Sequence, residues 1–217
     1  MGFGSAYLGA YNLACAGGWA FALVLFAKAQ YEGASWRETW NSMSTTVMAV
    51  QTVAVMEILH SLVGLVPSPW MTTLLQVSSR LVVAWGFLYS CEASQDHYAM
   101  ALTTVSWALV EVPRYLFYVF NIMGNVPYPL FWLRYSLFAV LYPSGITGEI
   151  MTIVNGFDCL KALKPVPLAG GISISMYHMA LLVLATYVPG APFMYSHMVT
   201  TRRKQFKRRK AASKKAE

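Results

Sequence analysis

The sequence predicts an all-α fold, a polytopic membrane helical bundle of about six transmembrane helices. Of its 217 residues, 57% are hydrophobic and only 12% are charged, whereas soluble domains usually carry about 25% charged residues. Six segments contain about 20 mostly apolar residues, the length that a helix needs to cross a bilayer. The connections between them are short, so consecutive helices are expected to run antiparallel.

The spans follow one another along most of the chain, without an internal repeat. The apolar stretch of the fifth span allows its helix to continue to about residue 157. Together the spans form one membrane domain at residues 1–200, and a basic tail follows at residues 201–217. The predicted spans are residues 7–27, 44–66, 70–90, 98–123, 128–148 and 174–199.

Proline marks three of the connections. Because proline fixes φ and lacks an amide hydrogen, it favours turns over helix interiors. Pro67 and Pro69 lie between the second and third predicted spans, and Pro127 lies between the fourth and fifth. A longer loop, rich in proline and glycine, is predicted at residues 164–171.

Positive charge is concentrated in the tail. Nine of the 16 Lys and Arg residues lie between Arg202 and Lys215, and residues 1–201 carry a net charge of −1. The positive-inside rule then places the C-terminus in the cytoplasm, and six spans place the N-terminus on the same side. Lys214 and Lys215 match a dilysine signal for the endoplasmic reticulum. We expect a solvated cytoplasmic end rather than a nucleic-acid site, because Phe206 is the only aromatic residue among the basic ones.

The three cysteines predict neither a metal site nor a disulfide. Cys15, Cys91 and Cys159 form no C-x-x-C pair and have no histidine at ligand spacing, so we expect no disulfide framework and no bound metal. A phosphatase of the C-x5-R type needs an arginine six positions after its cysteine, and Pro165 occupies that position after Cys159. No cofactor is predicted.

Six ionisable residues lie within the spans and give the strongest indication of a functional site. Each costs at least about 2.5–3.5 kcal/mol at the centre of an isolated helix, so we expect the three acids and three bases to form an interior polar cluster. Pro113, just before Arg114, is expected to kink the fourth span. For the four outside the fifth span, buried ion pairs that only fix helix register are an equally good explanation. The six are Glu57, Arg80, Glu111, Arg114, Arg134 and Glu149.

The fifth span combines acidic, basic and phenolic groups with one proline and two glycines. Tyr142 and Glu149 are seven residues apart, so they share a helix face two turns apart, and Arg134 lies within about 80° of Tyr142. Irregular backbone at membrane depth is tolerated only where protein or a water-filled cavity satisfies it. The sequence therefore predicts a hydrated site around a broken fifth helix.

Residues 142–149 read YPSGITGE. This stretch resembles the Y-P-x-G-x-x-x-E signature of the 3-hydroxyacyl-CoA dehydratases, also called protein-tyrosine-phosphatase-like or PASTICCINO-like proteins. The similarity extends over about residues 11–203, and further blocks occur in the family's order. They are EILH at 57–60, QVSSR at 76–80, Glu111 with Arg114-Tyr115, Arg134-Tyr135, and YVPG at 187–190 with Pro192 and His197-Met198.

The resemblance implies a six-span enzyme of the endoplasmic reticulum. Such an enzyme dehydrates very-long-chain (3R)-3-hydroxyacyl-CoA to trans-2-enoyl-CoA, the third step of fatty-acid elongation. Its implied partners are the acyl-CoA substrate, membrane lipid, and the condensing enzyme, 3-ketoacyl-CoA reductase and enoyl-CoA reductase of the cycle. Tyr142 and Glu149 would be the catalytic pair. Supporting candidates are Arg80, Arg134 and Gly145 from the resemblance, and Glu57, Glu111 and Arg114 from their charge.

Dehydration needs a base, an acid and stabilisation of charge on the thioester oxygen. We expect Glu149 to take the C2 proton and Tyr142 to protonate the leaving 3-hydroxyl; the reversed assignment is almost as good, because a nearby arginine favours tyrosinate. Arg134 or Arg80 can orient the pair or polarise the thioester. The CoA head group is expected at the basic cytoplasmic face, and the acyl chain within the apolar bundle.

Two other functions fit parts of the pattern. Paired intramembrane charges with proline and glycine breaks also occur in transporters and channels, but this chain is small and has no internal repeat. A non-catalytic scaffold of the elongase complex can keep the same fold, although the presence of both Tyr142 and Glu149 favours catalysis. The sequence therefore favours the enzyme.

Overall fold

The computed structural model describes residues 2–167 and 173–216, with side chains up to residue 211. Helices make up most of this part of the chain. A π-helical segment at Val82–Leu88 continues the fourth helix, and two short strands precede the last one. The elements are α1 (Phe3–Tyr31), α2 (Trp36–Val53), α3 (Val55–Leu62), α4 (Trp70–Leu81), α5 (Glu92–Gln95), α6 (Tyr98–Ile122), α7 (Tyr128–Ser136), α8 (Phe138–Asn155), α9 (Phe157–Ala162), β1 (Val166–Pro167), β2 (Ser173–Ile174) and α10 (Met176–Ala216).

Four helical stretches of the described chain are long and apolar enough to cross a membrane. They are α1, α2 with α3, α4 with the π-helical segment, and α10. A fifth forms if α7 and α8, bent by 41° relative to each other, are taken as one span. The 25-residue helix α6 is not among them. The all-α membrane bundle is therefore confirmed, while α6 as a sixth span stays a prediction.

Helix α6 packs against both α1 and α8. Its buried face is rich in polar groups, including Thr103, Thr104, Ser106 and Glu111. A helix that is covered by other helices needs no continuous apolar surface toward lipid, because its polar groups can be satisfied inside the protein. The position of α6 among other helices thus explains why composition alone does not mark it as a span.

The apolar core joins α1, α2 and the π-helical segment to α6. Trp19, Met43 and Phe87 are almost fully buried in it. Because lipid is as apolar as these side chains, close packing rather than exclusion from water holds such helices together. The start of α2 is fixed locally by a capping box, in which the Ser35 hydroxyl accepts from the Glu38 amide and Glu38 accepts from the Ser35 amide.

Helices α6 and α8 each contain a proline in their interior. Helix α6 runs through Pro113, and α8 runs through Pro143. The fifth span is broken, as predicted, but the bend lies at Leu137 between α7 and α8 and not at Pro143. A proline removes one backbone bond, and neighbouring groups in a membrane bundle can satisfy the carbonyl that it frees.

Two features of the helices had no signal in the sequence. The π-helical segment ends with an i to i−5 bond, in which the Tyr89 amide donates to the Ala84 carbonyl at 2.8 Å. The basic tail, expected only as a solvated end, continues α10 as a helix to Ala216. It also contacts α7, because Arg202 Nε donates to Ser136 Oγ at 3.1 Å.

A disulfide lies at the end of the bundle opposite the basic tail. Cys91 and Cys159 are bonded, with their Cα atoms 5.9 Å apart, so the expectation of no disulfide is wrong. The bond ties the segment after the third span to α9, 68 residues later. Nearby, Arg37 donates to Glu92 at 2.6 Å and holds the pKa of that carboxylate below its usual range.

The proline-rich loop before the last helix contains a short pair of strands. β1 and β2 run antiparallel, with Val166 opposite Ile174 and Pro167 opposite Ser173. The predicted loop residues Gly170 and Gly171 lie outside the described residues. The pair is too short to change the all-α class of the protein.

Candidate active site

Four of the intramembrane charges form one ion network. Arg114 donates to both oxygens of Glu57, at 2.8 and 2.7 Å, and through Nε to Glu111 at 2.6 Å. Arg80 donates to the other oxygen of Glu111 at 2.5 Å. The Tyr115 hydroxyl also donates to Glu57. Two acids and two bases therefore balance, and the network joins α3, α4 and α6.

This network directly supports the explanation that the four charged residues form buried ion pairs that fix the packing of the helices. The Glu111 side chain is 4% exposed, and removal of one partner from such a buried pair leaves an uncompensated charge. The pairs thus fix how α3 and α4 sit on α6. The predicted cluster of three acids and three bases is wrong, because Arg134 and Glu149 are not members of this network.

Glu149 is held by two neutral donors from different helices. Its Oε1 accepts from Trp107 Nε1 at 2.7 Å, and its Oε2 accepts from the Tyr187 hydroxyl. Donors on both oxygens stabilise the charged form of a carboxylate. The Arg80 guanidinium lies 5.4 Å from the centre of the Trp107 ring, so the indole connects Glu149 to the ion network.

Tyr142 does not contact Glu149 directly. Its hydroxyl donates to the Ala191 carbonyl at 3.3 Å, and its ring lies 6.2 Å from that of Tyr195. Tyr187, Ala191 and Tyr195 are spaced four residues apart on α10, so they form one face of that helix. Tyr142 and Glu149 therefore contact the same face of α10, one above the other.

Arg134 belongs to a separate aromatic group. Its Nη2 donates to the Tyr118 hydroxyl at 3.4 Å, and its guanidinium lies 5.8 Å from the Tyr118 ring and 5.5 Å from the Tyr135 ring. Within the described part of the chain, the Nε atoms of Arg134 and Arg80 are buried and make no hydrogen bond. Both arginines therefore keep one N–H donor that the described protein groups do not satisfy.

Two glycines let α8 approach α6 closely. A Cβ atom at Gly148 would lie 2.7 Å from the Thr103 amide nitrogen, whereas one at Gly145 would lie 3.5 Å from the Ser106 Cβ. Gly148 therefore marks the closest approach of the two helices, and Gly145 faces the same helix with room to spare. This contact brings Glu149 within reach of Trp107.

Four aromatic residues of this region were not assigned from the sequence. Trp107 and Tyr187 bind Glu149, and Tyr115 and Tyr118 lie beside Arg114. Trp107 gave a usable signal, because it lies four residues before Glu111 on the same helix face. Tyr187 lies in a block that carries the family resemblance, but nothing in its spacing predicted a contact with Glu149.

Two cavities lie elsewhere in the bundle, and neither is lined by Tyr142 or Glu149. One is apolar, about 530 Å³ in volume, between Trp85 of the π-helical segment and Met176 of α10. The other is about 510 Å³ and lies where α6, α7 and the tail meet. We call it the basic cavity; its lining residues are Phe117, Asn121, Val126, Phe131, Tyr135, Gln205, Arg208 and Arg209.

The described residues contain no group of three or more His, Cys, Asp or Glu side chains placed to hold a metal ion. The predicted hydrated chamber around the fifth span is not one of the two cavities above. The catalytic assignment of Tyr142 and Glu149 therefore stays a prediction, which rests on their shared position against α10.

Comparison with known proteins places this geometry in a family. Residues 51–208 match the model of the protein tyrosine phosphatase-like protein family, PTPLA. The chain is 37% identical over 209 residues to the very-long-chain (3R)-3-hydroxyacyl-CoA dehydratase PASTICCINO 2 of Arabidopsis thaliana, with 94% of each chain covered. It is 36% identical over 203 residues to the dehydratase hpo-8 of Caenorhabditis elegans, with 91% of this chain and 93% of the relative covered.

A human relative gives the same result. Very-long-chain (3R)-3-hydroxyacyl-CoA dehydratase 2 of Homo sapiens is 35% identical over 204 residues, which cover 92% of this chain and 80% of the relative. No solved structure matches. The similarity therefore covers nearly the whole chain, including every residue of the ion network and of the α8–α10 face.

Proposed function

Because the chain belongs to the protein tyrosine phosphatase-like family, we propose that it is a very-long-chain (3R)-3-hydroxyacyl-CoA dehydratase. It removes water from the substrate to give trans-2-enoyl-CoA, the third step of fatty-acid elongation. The names of the relatives support this reaction, and the structure adds one observation that carries it. A phenol and a carboxylate, Tyr142 and Glu149, face the same side of α10 inside a membrane bundle.

The reaction moves one proton at each of two neighbouring carbons. Glu149 takes the proton from C2, and the electron pair of that C–H bond forms the C2–C3 double bond. The C3–O bond breaks while Tyr142 gives its proton to the departing hydroxyl, which leaves as water. The enzyme then holds a protonated Glu149 and a deprotonated Tyr142. Loss of one proton from Glu149 to water and gain of one proton by Tyr142 from water restore the starting state without net change.

The hydrogen bonds favour this assignment over the reversed one. Trp107 and Tyr187 both donate to Glu149, and two donors stabilise the carboxylate that a base requires. The Tyr142 hydroxyl donates to a carbonyl, so in this geometry the phenol carries the proton that an acid requires. The hydrogen bonds of the two side chains therefore favour Glu149 as the base and Tyr142 as the acid.

The arginines supply the charge stabilisation. When the C2 proton leaves, negative charge develops on the thioester oxygen, and a positioned cation lowers the energy of that state. Arg80 and Arg134 each keep a buried Nε donor. Arg80 is the better placed of the two beside Glu149, because its guanidinium lies over the Trp107 ring that binds this carboxylate.

We place the protein in the endoplasmic reticulum membrane with both termini in the cytoplasm. The nine basic residues of the tail favour the cytoplasmic side. The disulfide gives an independent argument, because Cys91 and Cys159 lie at the opposite end and disulfides persist in oxidising compartments such as the lumen. The other enzymes of the elongation cycle are its proposed partners.

The decisive experiment is turnover by the purified chain. We expect protein in phosphatidylcholine nanodiscs to convert a long-chain (3R)-3-hydroxyacyl-CoA to the trans-2-enoyl product, detected by mass spectrometry. The (3S) substrate serves as the stereochemical control and should react far more slowly. Absence of product, with a folded protein and an active relative assayed in parallel, would favour the scaffold; ion or solute flux in liposomes would favour the transporter.

A further inference from the structure

The basic cavity lies at the tail end of the bundle, at the start of the span that carries Tyr142 and Glu149. Its volume of about 510 Å³ falls in the range of small-molecule sites. Two arginines, three aromatic rings and two side-chain amides line it, together with Val126, and no acidic residue does. This combination fits a ligand with phosphates and a flat base.

The basic cavity is preformed, because contacts between the tail and α7 hold its walls in place. Arg209 donates to the Val126 carbonyl at 3.1 Å, and its guanidinium lies 4.6 Å from the centre of the Phe131 ring. Phe206 packs against Phe131 at 5.0 Å. These contacts hold this turn of α10 over the start of α7, so the Arg209 guanidinium is positioned before a ligand arrives.

The positive charge of the cavity is not neutralised by the protein. In the part of the chain that the structure describes, no carboxylate lies within 4.0 Å of Arg208 or Arg209. Guanidinium groups bind phosphate with paired hydrogen bonds. The aromatic side chains of Phe117 and Tyr135 also line the cavity, and aromatic rings are groups with which a base can stack. Asn121 adds an amide that can form hydrogen bonds with the edge of a base.

We propose that the basic cavity binds the phosphoadenosine part of the acyl-CoA substrate. This proposal rests on the proposed function, and it names the place where the head group is held during the reaction. The adenine lies among the aromatic rings, and the phosphates meet Arg208 and Arg209. The pantetheine arm then leads from the cavity along α7 and α8 toward the reacting carbons.

The length of the arm agrees with the depth of the catalytic pair. Tyr135, which lines the cavity, is seven residues before Tyr142 and fourteen before Glu149, or roughly 10 and 21 Å along the helix. The pantetheine arm has about a dozen bonds between its phosphate and its sulfur. Four residues of extended polypeptide have the same number of backbone bonds and span roughly 14 Å, so the extended arm has about that length. The thioester therefore arrives at a depth between Tyr142 and Glu149.

The test compares two double variants that remove the same charge. R208Q/R209Q changes the lining of the cavity, whereas K207Q/K210Q removes two charges of the same helix that do not line it. In phosphatidylcholine nanodiscs, we expect R208Q/R209Q to weaken equilibrium binding of radiolabelled CoA about tenfold or more, because it removes charge-assisted contacts to phosphate. K207Q/K210Q should bind CoA within about twofold of the unaltered chain, because surface charge away from the site contributes little.

A truncated substrate separates a binding defect from a folding defect. The KM for the 3-hydroxyacyl-CoA should rise in R208Q/R209Q by the same factor as the loss of CoA binding. The KM and kcat for the 3-hydroxyacyl-pantetheine, which lacks the phosphoadenosine, should stay unchanged in that variant. A variant that handles the short thioester normally is folded, so the loss then belongs to the cavity.

Other outcomes identify a different occupant or none. Equal loss of CoA binding in both double variants, or no CoA binding by the unaltered chain, overturns the proposal. An anionic lipid headgroup shares the phosphate chemistry; it is the occupant if R208Q/R209Q loses only a response to added phosphatidylserine and keeps its affinity for CoA. Failure of the proposed dehydratase function gives a different result from failure of the cavity proposal. In that case the chain binds CoA and loses this binding in R208Q/R209Q, but it forms no enoyl product.

Discussion

Glu149 shows how much the chemistry of one side chain depends on residues far away in the sequence. Its two donors, Trp107 and Tyr187, precede and follow it by 42 and 38 positions. Without them, a carboxylate at membrane depth would meet only apolar surroundings and would be costly to ionise. The surroundings of this proposed base therefore come from three helices, and Trp107 and Tyr187 are proposed positioning residues for it.

Arg80 links the same carboxylate to the ion network. It donates to Glu111, which also accepts from Arg114, and its guanidinium lies over Trp107. The network fixes the position of Arg80, so the indole of Trp107 connects the four paired charges to Glu149. The residues of the ion network can therefore fix the packing of the helices and also support the proposed function of Glu149.

We expect Tyr142→Phe and Glu149→Gln each to lower kcat about 10²–10⁴-fold, because each removes one proton-transfer group. The KM for the acyl-CoA should change little, since neither group is needed to bind the head group or the acyl chain. The measurement is steady-state turnover of a long-chain 3-hydroxyacyl-CoA in nanodiscs.

Tyr195→Phe is the matched control for the phenol, because its ring lies beside Tyr142 and it has no assigned role in proton transfer. This variant should keep near-normal turnover. If Tyr142→Phe and Glu149→Gln both keep it as well, the catalytic assignment is wrong.

At the scale of elements, the α6–α8 contact decides whether the site forms. The two helices meet at Gly148, where a side chain would collide with the backbone of Thr103. Two hydroxyl pairs lie on either side of this point: Ser106 with Ser144 at 2.9 Å, and Thr103 with Thr152 at 3.3 Å. Small residues at a membrane helix interface allow this kind of close approach.

Gly148→Ala should destabilise the bundle by about 1–3 kcal/mol, the usual cost of adding a methyl group where no space exists. It should also lower turnover, because α8 must move away from α6 and Glu149 then moves away from Trp107. The measurements are thermal unfolding in detergent and dehydratase turnover.

Gly145→Ala is the control on the same helix. A Cβ there meets Ser106 at an ordinary contact distance of 3.5 Å, so the thermal stability should stay close to that of the unaltered chain. Equal destabilisation by both substitutions would show that helix flexibility, rather than the close contact, makes glycine necessary.

At the scale of the whole molecule, a disulfide holds one end of the bundle and the packing of the basic tail holds the opposite end. The disulfide joins the end of the third span to α9, which follows α8 directly. At the other end, the basic tail continues α10 and contacts α7 through Arg202 and Phe206. The fifth span, which carries the proposed catalytic residues Tyr142 and Glu149, is therefore held at both of its ends.

We expect the disulfide to be detectable by thiol counting. Denatured protein from microsomes should react with maleimide-polyethylene glycol at Cys15 alone before reduction and at all three cysteines afterwards, because Cys91 and Cys159 are bonded. Cys91→Ser should lower stability by about 2–4 kcal/mol, since the unfolded chain loses a cross-link.

Cys15→Ser provides the control for this measurement, and it should leave no reactive thiol before reduction. Three reactive thiols in unreduced protein would show that the bond is absent and would remove one of the two arguments for the orientation. The positive charge of the tail would then support the orientation alone.

The sequence determined the class of the protein because bilayer crossing requires long apolar segments, which composition shows directly. It also determined the family and the residues to examine, because the YPSGITGE segment and the intramembrane charges are local features. Helix ends near proline turns were predicted well for the same reason. Helices α4 and α7 begin at Trp70 and Tyr128, directly after Pro69 and Pro127, as predicted.

Only the tertiary structure decided which charges pair, where the fifth span bends, which cysteines meet and where the tail packs. Arg134 and Glu149 looked like members of a balanced cluster, yet the fold places Tyr118 beside one and Trp107 with Tyr187 beside the other. These contacts join residues tens of positions apart. Their partners are set by how helices pack against each other, and that packing leaves no local periodicity in the sequence.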